Sequence, residues 1–202
     1  MMKQGRIVGI ALCLGCLLGG NSHAAAIGMP QPSARIGLAV GVANMTVKDT
    51  ESGTASEWVA RPLNLIYTDL LFLSNYRYWA EAFYQDAVLP AATHQLGQRV
   101  KQLGARLSLQ APLPFFTTID SWLGAGLQLS SDRYDRRHNL DADGYLAQQF
   151  PDRSEIGAAL LLNFVAEKNL GGLRVGVKAE QVIALGDGVS ESTLALFLLF
   201  DF

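Results

Sequence analysis

Along most of the sequence, apolar side chains alternate with small or polar ones. Ile36, Leu38, Val40 and Val42 stand on one face of the first such stretch, and Gly37, Ala39, Gly41 and Ala43 on the other. A period of two marks a strand, whereas a soluble helix would repeat its apolar residues three and four apart. Branched side chains on one face and tiny ones on the other suit a small closed barrel, with lipid outside and a narrow, filled interior. The pattern recurs and predicts strands over 34–48, 57–67, 71–85, 96–110, 116–130, 154–167, 172–184 and 192–202. Eight is even, which brings both ends of the barrel to one side.

The connections alternate in length. Short links are predicted at 68–70, 111–115 and 168–172, and longer ones around 49–57, 86–95, 130–152 and 185–192. Three short and four long connections correspond to periplasmic turns and extracellular loops. Pro62 falls inside the second strand, where it removes an amide donor and implies a bulge or a later start. The stretch 157–165 would pass for a buried helix alone, but the alternation of its neighbours makes it a strand.

Charge sits on the faces opposite the apolar ones: Arg77, Glu81, Arg106, Glu155, Arg174, Lys178 and Glu180. Buried charges persist when paired, so these residues predict an interior salt-bridge network that plugs the lumen. Tyr76, Tyr78, Tyr84 and Trp58 are candidates for interfacial aromatic belts. Trp79 lies near Arg77, where filling of the lumen explains it better than a ligand site.

The N-terminus reads MMKQGR, an apolar run from Ile7 to Leu18, then GGNSHAAA, the order of a secretory signal peptide. The run is shorter than the roughly 20 residues of a spanning helix. Cleavage after Ala24 or Ala26 gives a signal at 1–26 and a barrel at 27–202. CLGC resembles part of a lipoprotein box, but it lacks an aliphatic residue at Cys13 and two leucines follow Cys16. Both cysteines leave with the signal, which excludes disulfides and thiolate metal sites from the mature chain. Loss of Lys3 and Arg6 leaves 14 basic against 18 acidic residues, a balance that speaks against nucleic acid as a partner.

With those residues in view, the chain resembles the small eight-stranded outer-membrane barrels, the class of OmpX-type proteins and the OmpA transmembrane domain. Leu194, Leu196, Leu198, Phe200 and Phe202 resemble that class's terminal strand, which ends in an aromatic residue recognised by the barrel-assembly machinery. The resemblance implies bacterial outer-membrane localisation, with membrane lipids, lipopolysaccharide and that machinery as partners. RPLNLIY, at 61–67, is a weaker echo of the MipA/OmpV family, whose barrels are usually longer.

Candidate chemistry gathers in the third long connection. His138 stands near Ser130, Ser131, Asp132 and Asp135, the residue types of an Asp-His-Ser relay. Small-barrel lipid A enzymes, a palmitoyltransferase and a deacylase, resemble the chain in using such groups near the outer leaflet, although their local motifs are absent. His94 is the other remaining histidine. Arg133, Arg136 and Arg137 are lipopolysaccharide-binding candidates, since guanidinium groups take phosphate in a bidentate way. Asn139, Asp141, Asp143 and Gly144 have the opening spacing of a calcium loop, but the Glu required at its twelfth position is Phe150 here. The glycines at 37, 41, 124 and 126 alternate within strands and precede no helix, which is unlike a nucleotide loop.

The expectation is therefore an all-β, eight-stranded antiparallel transmembrane barrel with short periplasmic turns and longer extracellular loops. It requires no cofactor and has a non-enzymatic structural or surface-interaction role. Lipid A modification, by acyl transfer or deacylation, and a narrow channel for small or apolar solutes remain alternatives.

Overall fold

The computed structural model describes residues 34–49, 53–71, 75–92, 95–114 and 118–201. The signal peptide, His94 and Phe202 lie outside the described residues. Nine strands form in chain order: β1 Arg35–Asp49, β2 Gly53–Leu70, β3 Arg77–Leu89, β4 Gly97–Leu113, β5 Asp120–Leu140, β6 Leu146–Gln149, β7 Arg153–Asn169, β8 Leu173–Ala184 and β9 Gly188–Asp201. The eight long ones pair antiparallel around a closed ring, with β1 against β9 and β4 against β5. The short strand β6 pairs with the far end of β5 alone and stands outside the ring.

The alternation of the sequence becomes the two faces of the barrel wall. Outward residues such as Ile36, Val40, Leu107, Leu127, Leu160, Leu196 and Phe200 are exposed, and together they form an apolar belt. A belt of this extent is unfavourable in water and natural in hydrocarbon. It ends toward the β1–β2 and β3–β4 connections, where outward positions turn polar at Asn44, Ser56, Asp86, Lys101, Ser131, Ser154, Gln181 and Ser192. Trp58 is exposed there, opposite Asn44.

At this outer end the strands extend into the segments predicted as loops. The connections at 50–52 and 185–187 are three residues each, because paired strands absorb the rest of the predicted loops. The segment 130–152 is mostly strand as well. It forms a ribbon in which His138 pairs with Gln149 and Asn139 with Gln148, closed by a turn at 141–145. A tilted membrane-spanning strand needs about 9–11 residues, whereas β5 has 21, so its outer part projects beyond the belt. At the opposite end, β2 runs through Leu70 because Thr68 pairs with Arg35. The third strand accordingly begins at Arg77 and the fifth at Asp120, each later than the pattern predicts. Gly171 and Gly172, at φ 80° and 93°, make the left-handed turn from β7 to β8.

Pro62 lies at a bulge. Ala39 pairs with Asn64 and Gly41 with Arg61, so β2 carries one extra residue there. Among the described residues, the β2–β3 ladder runs from the pair Leu70 and Arg77 to the pair Asn64 and Phe83, and stops. Beyond it β2 remains paired with β1, and β3 with β4, so the wall parts between β2 and β3 toward the outer end.

The belt and the ribbon differ in medium although their leucines are similarly exposed, 57% at Leu127 and 62% at Leu146. In lipid vesicles, Leu127→Arg is expected to cost about 2–4 kcal/mol of unfolding free energy. Leu146→Arg should stay within about 0.5 kcal/mol of the parent.

Candidate functional site

The interior is filled by charged and polar side chains bonded to one another. Arg106, on β4, is buried at its centre. Its Nε donates to Gln128 at 2.5 Å, its Nη1 to Glu180 at 3.1 Å, and its Nη2 to Glu191. Glu81 lies 3.9 Å from the same guanidinium. Lys178 pairs with Glu81 and, at 3.0 Å, with Glu180. The Trp79 indole donates to Glu81 at 2.6 Å, and the Arg106 guanidinium stacks on Phe83, 4.3 Å from the ring centre. Three carboxylates and two cations thus share one buried layer, with Phe83 and Trp79 packed against it.

A second layer lies toward the end where β3 begins. Arg77 donates to Gln110 at 2.6 Å and to Glu167 at 2.9 Å, and covers Trp122 at 4.1 Å. Arg174 bridges Glu167 at 3.0 Å and Asp120 at 2.8 Å. Toward the outer end Gln85 and Gln102 bond to each other, and Gln102 donates to Asp132 at 2.8 Å. Above them Met45, Val47, Ala55, Ala87, Leu89, Val100, Tyr134 and Val189 form an apolar layer across the mouth.

Six of the seven charges read as interior thus join these two layers or the pairs flanking them. The seventh, Glu155, is half-buried and pairs with Arg153 at 3.2 Å near the mouth. Glu167 and Glu191 escape the sequence reading. Each is nevertheless in phase with inward neighbours, Glu167 with Asn163 and Val165, and Glu191 with Thr193 and Ala195.

The candidate relay is not assembled. Ser130 faces the interior, whereas Asp135 is on the outer face, bonded to Arg133 at 2.7 Å. His138 is eight residues from Ser130 along the same strand, about 26 Å at the usual rise, and its Nδ1 meets the Arg136 carbonyl at 2.9 Å. The three groups cannot share a proton.

The arginine trio is also divided. Arg133 and Arg136 are exposed, but Arg137 is buried, donating to the Pro151 carbonyl at 2.9 Å and lying over Phe150. A lipid headgroup cannot reach it. Arg136 has a φ of 56°, and its amide donates to Asp152. The calcium candidate is a turn: Asp141 Oδ1 accepts the amides of Asp143 at 3.0 Å and Tyr145 at 2.8 Å, while Asn139 is in a strand opposite Gln148. Its ligating carboxylate is already committed to the ribbon's closing turn.

Outside the belt, the rim of β3–β5 carries a mixed-charge group. Arg99 grips Asp86 through Nε at 2.7 Å and Nη2 at 2.5 Å, and Lys101 lies 3.4 Å from Asp135. The hydrogen bond from Arg133, helped by Lys101, holds the Asp135 carboxyl below its ordinary range.

No family model matches the chain, and no curated protein matches it. Among solved structures it is similar to Neisserial surface protein A (NspA) at 13% identity and a TM-score of 0.47, over 83% of this chain and 97% of that one. It is similar to Ail, the attachment invasion locus protein of Yersinia pestis, in complex with the heparin analogue sucrose octasulfate, at 12% identity and a TM-score of 0.49, over 84% and 99%. A third is the outer membrane protein OprG from Pseudomonas aeruginosa, at 14% identity and a TM-score of 0.45, over 85% and 97%. At such identities and TM-scores no role is carried over from these proteins.

Removing one partner from the central layer leaves the others buried and uncompensated. Arg106→Ala is expected to lower the unfolding free energy by about 3–5 kcal/mol. Adding Glu191→Gln should recover part of that loss, and denaturant titration of the single and double variants in vesicles measures both.

Proposed function

We propose that the protein is an integral barrel of the bacterial outer membrane with a non-enzymatic structural or surface-interaction role, exercised through the ribbon of β5, β6 and the start of β7. The observation that carries this reading is the division of labour along the molecule. The lumen is packed with mutually bonded side chains, while β5 continues beyond the belt and offers strand edges and exposed side chains such as Tyr145 and Leu146. Free strand edges and exposed apolar side chains are the means by which such a ribbon engages another molecule. The membrane lipids, and the assembly machinery during insertion, are its expected partners.

The dispersal of Ser130, Asp135 and His138 supports a non-enzymatic role over lipid A modification. The test is the lipid A mass spectrum of cells with the protein, without it, and with His138→Ala. Identical spectra are expected. A gained or lost acyl chain that disappears in the variant would overturn the proposal in favour of an enzyme.

The parting between β2 and β3 favours a second reading, passage of small apolar solutes through the wall instead of along the lumen. Planar-bilayer recordings should then show no ion conductance, while a Leu63→Cys/Tyr84→Cys disulfide across the parting should reduce apolar solute uptake. Unchanged uptake in the locked variant would remove this reading.

A further inference from the structure

We propose that the outer rim of β3–β5 is a binding site for the phosphate groups of a phosphorylated lipid headgroup, held by Arg99, Lys101 and Arg133. The site differs from the trio read in the sequence, because Arg137 is buried and two β4 residues take its place beside Arg133.

The first support is register. Lys101 is directly opposite Arg133, and Arg99 is opposite Asp135. Opposed residues have Cα atoms about 4.5–5.5 Å apart, and alternate residues on one strand are about 7 Å apart. Three long cationic side chains therefore rise from a patch about as wide as a pair of phosphates.

The second is spare donor capacity. Arg133 engages Asp135 through Nε, and no other bond among the described residues occupies its guanidinium, whose side chain is 61% exposed. Arg99 uses Nε and Nη2 on Asp86, which leaves Nη1. Lys101 stands 3.4 Å from Asp135 and keeps ammonium donors for a ligand. The three cations have Asp86 and Asp135 as their contact partners, and Asp152 acts on Arg133 only through a weaker, longer-range attraction.

The third is depth and sidedness. Below the patch the outward face is Tyr84 and Leu103 and, past Ser131, Leu129, the upper edge of the belt, which places the cations at headgroup height. Among the described residues, the first polar outward positions on the other strands are the uncharged Asn44, Ser56, Ser154, Gln181 and Ser192, with Lys48 farther out on β1. A lipid held here has its chains on the belt and its phosphates against the cations. Guanidinium groups add bidentate geometry to the charge attraction.

The proposal rests on the membrane reading above, but the binding assay uses purified protein and is decided separately from localisation. Folded full-length protein is offered lipid A in phosphorylated and dephosphorylated forms, and adducts are counted by native mass spectrometry. The wild type should prefer the phosphorylated form. Arg99→Gln/Lys101→Gln/Arg133→Gln should reduce that binding at least about tenfold, more than the fivefold of about 1 kcal/mol per surface cation for a single residue, while Arg136→Gln leaves it unchanged. Equal binding by the triple variant, or equal uptake of dephosphorylated lipid, would overturn the proposal. Displacement by millimolar inorganic pyrophosphate would also overturn it, in favour of a soluble phosphate ligand. Should the triple variant fail to show the mobility shift of a folded barrel on unboiled gels, the single reversal Arg133→Glu carries the same test.

Discussion

Within hydrocarbon no water is present to accept or donate a hydrogen bond, so each backbone group at that depth must find its partner in the chain itself. The ring from β1 round to β9 answers this demand, and much else follows from it. Closure in a narrow barrel forces alternate residues inward, and the lipid takes the other half. Polar residues at membrane depth then have a single destination, the lumen, and the layers around Arg106 and Arg77 are found there. Where the β2–β3 ladder ends, at Asn64 and Phe83, the belt is close to its polar boundary. Pro62, which has no amide donor, lies beside that end, so the lapse in pairing occurs where it leaves fewer groups unsatisfied.

The central layer also acts on register. A one-residue slip of a strand exchanges its two faces. Such a slip of β4 would carry Arg106 into lipid and turn Ala105 and Leu107 inward, and the same slip of β8 would expel Lys178 and Glu180. Desolvation makes buried ion pairs poor contributors to net stability. Their cost when misplaced is larger, and that asymmetry selects one alignment of eight strands among many with similar apolar patterns.

The strands are legible in the sequence where the belt imposes its contrast: Leu103 against Arg106, or Val175 and Val177 against Lys178. The outer part of β5 is not, since both of its faces meet polar surroundings. Asp132 and Tyr134 point in and Arg133 and Asp135 point out, with no apolar period to mark the strand. For the same reason 130–152 reads as a loop, and residues adjacent in sequence such as Arg136 and Arg137 read as one patch although strand geometry sends them to different faces. Arg99 and Lys101 do not group with Arg133 in the sequence because only the pairing of β4 with β5 makes them neighbours.

The two ends of the barrel chain meet. Arg35 Nε bonds to Asp201 at 2.7 Å, and β1 and β9 lie side by side from there to Lys48 and Gly188. Joining partners 166 residues apart in sequence costs more chain entropy than pairing neighbouring strands, which favours closing this seam after the local hairpins. Until then both the leading and the trailing strand present open edges, each a template for pairing with another chain. The last seam to form therefore separates two regimes: before it the sheet needs a chaperoning surface along its margins, and after it the open edges that remain among the described residues are those at the β2–β3 parting and on the ribbon.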